Sequence, residues 1–335
     1  MAHKWLDRLR GRTPAGTARA DAAPVTVQRA SAPAPLQAIT QWQPRVDVDV
    51  AFCRWLIAAP PNALAHDEPS SHAVLKALAQ SVRNPPRDEL IPRVPSLVPQ
   101  LLQSLRDPQR SIVALSRQVA QDPVLVAAVL RRANSPYYHA GKHIESLEQA
   151  LLIIGHDSLR HVLAAVAFKP IINVQSGAFT QRAAPIVWDQ SERCGMACHV
   201  LALAAGTSPF EAFLGALLYN VGTIVLLREL DQTHRTSATL GTVVFCSGFM
   251  RLARDIAVAI GRRWQFPANV MAALPQRDGG DGATALADVL RASDRVSKLR
   301  TLFDAGEIAR DASLDLDGAP VIAACFDKLS AAPAA

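Results

Sequence analysis

SPFEAFLGALLYNVGTIVLLREL, residues 208–230, opens on a marked helix start and continues almost entirely apolar. Ser208 is a helix-capping type, Pro209 suits the first helical position, and Glu211 follows three residues after the cap, so three separate start signals agree. From Phe210 on, Phe213, Leu214, Leu217, Leu218, Val221, Ile224, Val225 and Leu227 leave almost no polar face. That is the pattern of a helix wrapped by protein on most sides. The polar interruption at its middle is Tyr219-Asn220, and a polar pair inside such a run must find hydrogen-bond partners or serve a site.

Helical signals continue on both sides of it. Asp47 to Ala58 places Val48, Phe52, Trp55 and Leu56 at helical spacing, and His72 to Val82 repeats the pattern with Val74, Leu75, Leu78 and Val82. Pro60-Pro61 and Pro85-Pro86 end these two helices, because proline removes a donor and disfavours helix in the residue before it. From Ile91 the pattern becomes denser. A helix runs through Leu97, Leu101, Leu102 and Leu105, Ser111 caps another, and Asp122-Pro123 opens a third that closes at Asn134, read as a left-handed terminating residue. Ser146 with Gln149 forms a capping box, Gly155 stops that helix, and a further one spans about residues 158–169. No segment alternates with period two for long, so the expected fold is all-α, a compact multi-helix bundle. The organisation reads as a basic Ala/Pro-rich disordered tail (1–40), a short helical preface (41–89), the main body (90–300), and a C-terminal helical segment and tail (301–335).

Composition narrows the function classes. Half of the 335 residues are hydrophobic, ample for a core. Of the formal charge of +6, residues 1–36 carry +4 through Lys4, Arg8, Arg10, Arg12, Arg19 and Arg29 against Asp7 and Asp21. A nearly balanced body with a basic tail gives no footprint for specific nucleic-acid reading. No apolar run is read as long enough to span a bilayer, and residues 4–8 are too polar for a signal-peptide core, so the expected location is the cytoplasm. The five cysteines are scattered and odd in number, which fits reduced thiols, and Cys194 and Cys198 read as a buried thiol pair rather than a zinc site. His139, His143, His156 and His161, unevenly spaced and without a carboxylate array, read as surface histidines. There is no Gly-rich phosphate loop and no serine elbow.

The order IPRVPSLVPQLL, QDPVLVAAVLRRANSPYY, Ile144-Glu145-Ser146-Leu147 and ALLIIGHDSLR resembles the HDOD domain of bacterial signalling proteins. Trp188 with Ser191, Phe210-Glu211-Ala212-Phe213, Gly222 and Trp264-Gln265-Phe266-Pro267 extend the resemblance over about residues 90–300. It implies a helical bundle related to the HD-domain metal phosphohydrolases and used as a regulatory or interaction module. In the catalytic relatives, histidines and carboxylates hold metal ions that activate water. Carried onto this chain, a ligand histidine falls on Gln190, the name-giving His-Asp pair on Tyr219-Asn220, a further histidine on Ala253, and a His-His pair near Arg277-Asp278. Only Asp294 keeps its carboxylate, and its expected role is an ion pair with Arg291 or Lys298 on its own helix. One carboxylate does not make a metal site.

The expectation is therefore a non-enzymatic signal-transduction module that acts through protein–protein contact and carries no cofactor. The alternative is a residual or altered HD-type phosphohydrolase or cyclic-nucleotide sensor using the same cleft. The candidate partner-binding stretch is Arg131, Arg132, Asn134, Ser135, Tyr137 and Tyr138. A helix ends there in a loop, and arginine and tyrosine are enriched at interface centres.

Overall fold

Ser208 does cap the helix read from it. In the computed structural model of the chain, its hydroxyl accepts the Glu211 N–H at 3.3 Å, and the helix runs Pro209–Thr233. The structure describes residues 34–60, 68–83, 97–104, 116–117, 119–134, 143–173, 176–233, 240–274, 284–311 and 314–329. Among them the helices are α1 (Ala34–Gln41), α2 (Val48–Leu56), α3 (Glu68–Arg83), α4 (Leu97–Ser104), α5 (Pro123–Ala133), α6 (Leu147–Ile172), α7 (Ala178–Ala205), α8 (Pro209–Thr233), α9 (Val243–Arg263), α10 (Ala268–Ala273), α11 (Ala285–Asp304) and α12 (Pro320–Lys328). No strand occurs among the described residues, and the fold is an all-α bundle.

The central position of α8 follows from its sequence. With apolar side chains all round, it has no face to offer water, so α3, α6, α7, α9, α10 and α11 all pack on it. By length and composition α8 reaches what a bilayer crossing needs, which the sequence reading denied to every run in the chain. Yet 94% of its apolar window is buried among these helices, as in a core helix. Helix α9 comes into backbone contact with α8. A Cβ added at Gly222 would run into the backbone carbonyl oxygen of Ala253, so glycine is what lets the two backbones touch.

Several local readings hold in detail. Asp122 caps α5 through its carboxylate, as its place before Pro123 indicated. Ser146 accepts the Gln149 N–H at 3.2 Å. Gly155, at φ 71° and ψ 178°, sits where only glycine is comfortable, and α6 turns through 111° there.

Others need correction. Residues 34–40, assigned to a disordered tail, belong to helix α1, which buries Ile39 and packs on α7, α11 and α12. So short a helix has little stability alone and forms because it docks. Residues 1–33 lie outside the described residues. Asn134 is not left-handed: its φ is −88°. Its side chain instead donates to the Leu130 carbonyl (3.0 Å) and the Ile144 carbonyl (2.8 Å) and accepts the Ile144 N–H (2.9 Å). His161 is not a surface residue. It is buried, stacked on Phe213 at 5.0 Å between ring centroids, with Nδ1 2.7 Å from the Asp157 carbonyl oxygen. His143 is exposed, and His139 lies outside the described residues. Cys194 and Cys198 are both buried.

Two outcomes are expected from this packing. Gly222→Ala gains helix propensity of about 1 kcal/mol but must push α9 away, so a net loss of roughly 1–2 kcal/mol should appear as a lower urea midpoint at unchanged m. The second concerns acid. Burial lowers the His161 pKa to about 4, so the folded protein holds it neutral while the unfolded chain protonates near 6.5. Its contribution is complete above pH 6.5 and is lost as pH falls toward 4, on the order of 3 kcal/mol in all. His199, also lowered by burial, acts in the same sense, and Glu192, raised by burial, opposes it. Melting temperatures of His161→Gln should therefore depend less on pH across this window than those of the wild type, and identical slopes would remove His161 as a source.

Candidate functional site

Three helices bring most of the positions carried over from the HD pattern together: α7 supplies Gln190, α8 supplies Tyr219 and Asn220, and α11 supplies Asp294. The Asn220 amide donates to Gln190 Oε1 at 2.9 Å and to Ser191 Oγ at 2.6 Å, and Ser191 donates to the Val187 carbonyl at 2.6 Å. The Gln190 amide donates to Ser297 Oγ at 3.0 Å and, at 3.4 Å, to Asp294 Oδ1. Each amide is thus spent on the other helices, which answers the demand a buried polar pair makes.

Around Asp294 the polar chain becomes ionic. Lys298, one turn later on α11, places Nζ 2.7 Å from Asp294 Oδ2 and 3.0 Å from Asp49 Oδ1. Arg254 of α9 lies 2.5 Å from Asp49 Oδ2 and 3.7 Å from Asp294 Oδ2, with its guanidinium 5.8 Å from the centre of the Tyr219 ring. The side chains of Lys298 and Asp294 are 4% and 6% exposed, those of Arg254 and Asp49 28% and 25%, so the network runs from a dry floor to a wetter mouth.

The charges determine one another. Burial alone would raise the Asp49 carboxyl, but Lys298 and Arg254 hold it far below the usual carboxylate range. Burial would strip the proton from Lys298, but Asp294 and Asp49 raise its pKa instead. The same two carboxylates outweigh burial at Arg254. At Tyr219 burial dominates and pushes the phenol up, so it stays neutral. Two carboxylates and two cations make a neutral set.

A metal ion of the kind HD relatives use does not fit these residues. Gln190 and Asn220 are amides engaged with one another, Tyr219 is a neutral phenol, and Ala253 offers only a methyl group. Both oxygens of the Asp294 carboxylate are already bonded, one to Gln190 and one to Lys298. Among the described residues, no group of three or more His, Cys, Asp or Glu side chains is placed to hold a metal. Arg277 and Asp278 lie outside the described residues.

A family model for the HDOD domain matches residues 91–278, more than half of the chain. The chain belongs to the HDOD family. This HDOD protein is 23% identical over 207 residues to an uncharacterized protein of Treponema pallidum, a match covering 58% of this chain and 38% of that relative. It thus spans well under half of that relative's length. Among solved structures, it is similar to a candidate metal-dependent phosphohydrolase from Shewanella amazonensis (TM-score 0.52, 19% identity, 76% of this chain and 99% of that one). It is also similar to an HDOD domain protein of unknown function from Geobacter sulfurreducens (TM-score 0.49, 21% identity, 78% of this chain and 99% of that one). The first of these similarities supports the fold alone.

Of the two partners expected for Asp294, Lys298 is the real one, while Arg291 pairs with Asp288. Asp49 and Arg254 carry no signal in the sequence, because Asp49 lies 249 residues from Lys298 and 205 from Arg254. Ala253 is seated with its backbone carbonyl against Gly222. In the candidate partner-binding stretch, Arg131 is exposed, Arg132 is half-buried, and Asn134 is committed to the 143–146 segment. Ser135, Tyr137 and Tyr138 lie outside the described residues.

Removing only the ammonium leaves the buried Asp294 carboxylate with Arg254, 3.7 Å away, as its remaining cation. Lys298→Met should therefore cost about 3–5 kcal/mol by urea denaturation. Adding Asp294→Asn to Lys298→Met should recover a measurable part of that loss, and a double variant no more stable than the single one would show that the ion pair is not the source.

Proposed function

We propose that this HDOD protein is a non-enzymatic, cytoplasmic signal-transduction module that acts by binding another protein. The observation that carries the proposal is the Lys298 ammonium lying between Asp294 and Asp49, with Gln190 and Asn220 tied to each other beside it. In an HD phosphohydrolase that carboxylate is free to take a metal ion; here it is neutralised by side chains of the chain itself. A site locked by its own lysine has lost the means to activate water and keeps the bundle as a rigid platform. The membership in a family used in bacterial signalling is consistent with such a platform.

The docking residues on this reading include Arg131, which stands exposed in the last turn of α5. Affinity capture with the purified full chain should recover a bacterial protein that Arg131→Glu no longer binds, while circular dichroism and melting temperature stay at wild-type values. Capture that is unchanged in Arg131→Glu places the interface elsewhere. Turnover of a cyclic dinucleotide that disappears in Asp294→Asn would overturn the non-enzymatic reading.

A further inference from the structure

Helix α6 bends at Gly155, and the arm before the bend, residues 147–154, has two unlike faces. Ala150 and Ile154 are buried, and Leu147 and Leu151, at the same helical spacing, are packed on the core with them. The opposite face carries Leu152, 85% exposed, and Ile153, 46% exposed. One turn before them stand Glu148 and Gln149, both exposed. On α5, which packs against α6, Val124 is 65% exposed. Asn134 ties the end of α5 to Ile144, so Val124 and Leu152 both lie well beyond that tie, at the same end of the helix pair. Single apolar residues at a surface need no account. Adjacent ones on a short helical arm do, because polar residues serve an exposed helix position at least as well.

The charge around this face says what fits it. Residues 117–130 and 143–160 hold Asp122, Glu145, Glu148 and Asp157 against Arg117 and Arg160, in a chain whose formal charge is +6. Arg160 is buried and meets Asp157 at 3.1 Å, while Glu145 and Glu148 are exposed. An acidic surface repels anionic lipid and nucleic acid, and it attracts a partner that brings cations. We propose that the Leu152–Ile153 face of α6, together with Val124 of α5, is the docking surface for a basic amphipathic helix of a partner protein. Apolar side chains at i, i+3, i+4 and i+7 of such a helix cover the exposed leucine, isoleucine and valine, and lysine or arginine on its flanks faces Glu145 and Glu148. The proposal rests on the protein-binding reading above and names the class of partner; its surface is at the opposite end of α5 from Arg131.

The test uses the full chain and a fluorescein-labelled helical peptide built of leucine and lysine, with the leucines on one face. Fluorescence anisotropy should show saturable binding that weakens as salt is raised. Leu152→Gln, at a position open enough for any polar side chain, should weaken it about tenfold or more with unchanged circular dichroism and melting temperature. Replacing Glu145 and Glu148 together by glutamine should flatten the salt dependence. Absence of saturable binding, the same dissociation constant in Leu152→Gln as in the wild type, or equal binding of a peptide with glutamate in place of lysine overturns the proposal. A wild-type dimer in sedimentation that is lost in Leu152→Gln gives the face to a second copy and overturns it as well. If the peptide does not bind while Arg131-dependent capture of a bacterial protein stands, this face falls and the protein-binding reading remains.

Discussion

The buried Asp294–Lys298 pair can persist only because other charges complete it. An isolated ion pair at this depth costs several kcal/mol in lost hydration for each partner, more than one contact reliably returns. Here Lys298 meets a second carboxylate, Asp49, and Asp49 meets a second cation, Arg254, so each charge faces two of the opposite sign or a hydrogen-bond donor. The three helices that supply them, α2, α9 and α11, are held by this requirement as well as by apolar contact. The N-terminal preface is accordingly part of the bundle. Without α2 the Lys298 ammonium would lose one of its two carboxylates, and the mouth would carry more uncompensated positive charge.

The amide chain from Asn220 to Gln190 to Ser297 extends the same logic into the dry centre. Catalytic HD relatives place metal-binding side chains in this region. In this chain, hydrogen-bonding groups of similar size connect α7, α8 and α11 to one another. A lysine supplies the positive charge that Asp294 faces, and because it is attached to the chain it cannot exchange with solvent. The polar groups gathered here are thus satisfied by one another.

Much of this was legible in residue order. The helical body followed from capping residues and apolar periodicity, both local properties set within one or two turns. The starts of α5 and α8 fell where Asp122 and Ser208 indicated. Gly155 marked the bend because no other residue adopts its backbone angles readily. The Asp294–Lys298 pair was legible too, since i and i+4 share a helical face. Helix α1 was missed because its stability comes from docking, and its proline and alanine composition resembles a linker. His161 was misread because spacing alone does not say which face of α6 meets α8.

Residue order was thus enough for an all-α chain and for a central helix with almost no polar face. These are properties of residue identity and of spacing along one helix. The partners that complete the Asp294–Lys298 pair came only with the packing, because Asp49 and Arg254 lie on helices far apart in the chain. Charge balance in a buried space is a property of everything that faces it, and no single segment of the sequence contains that information.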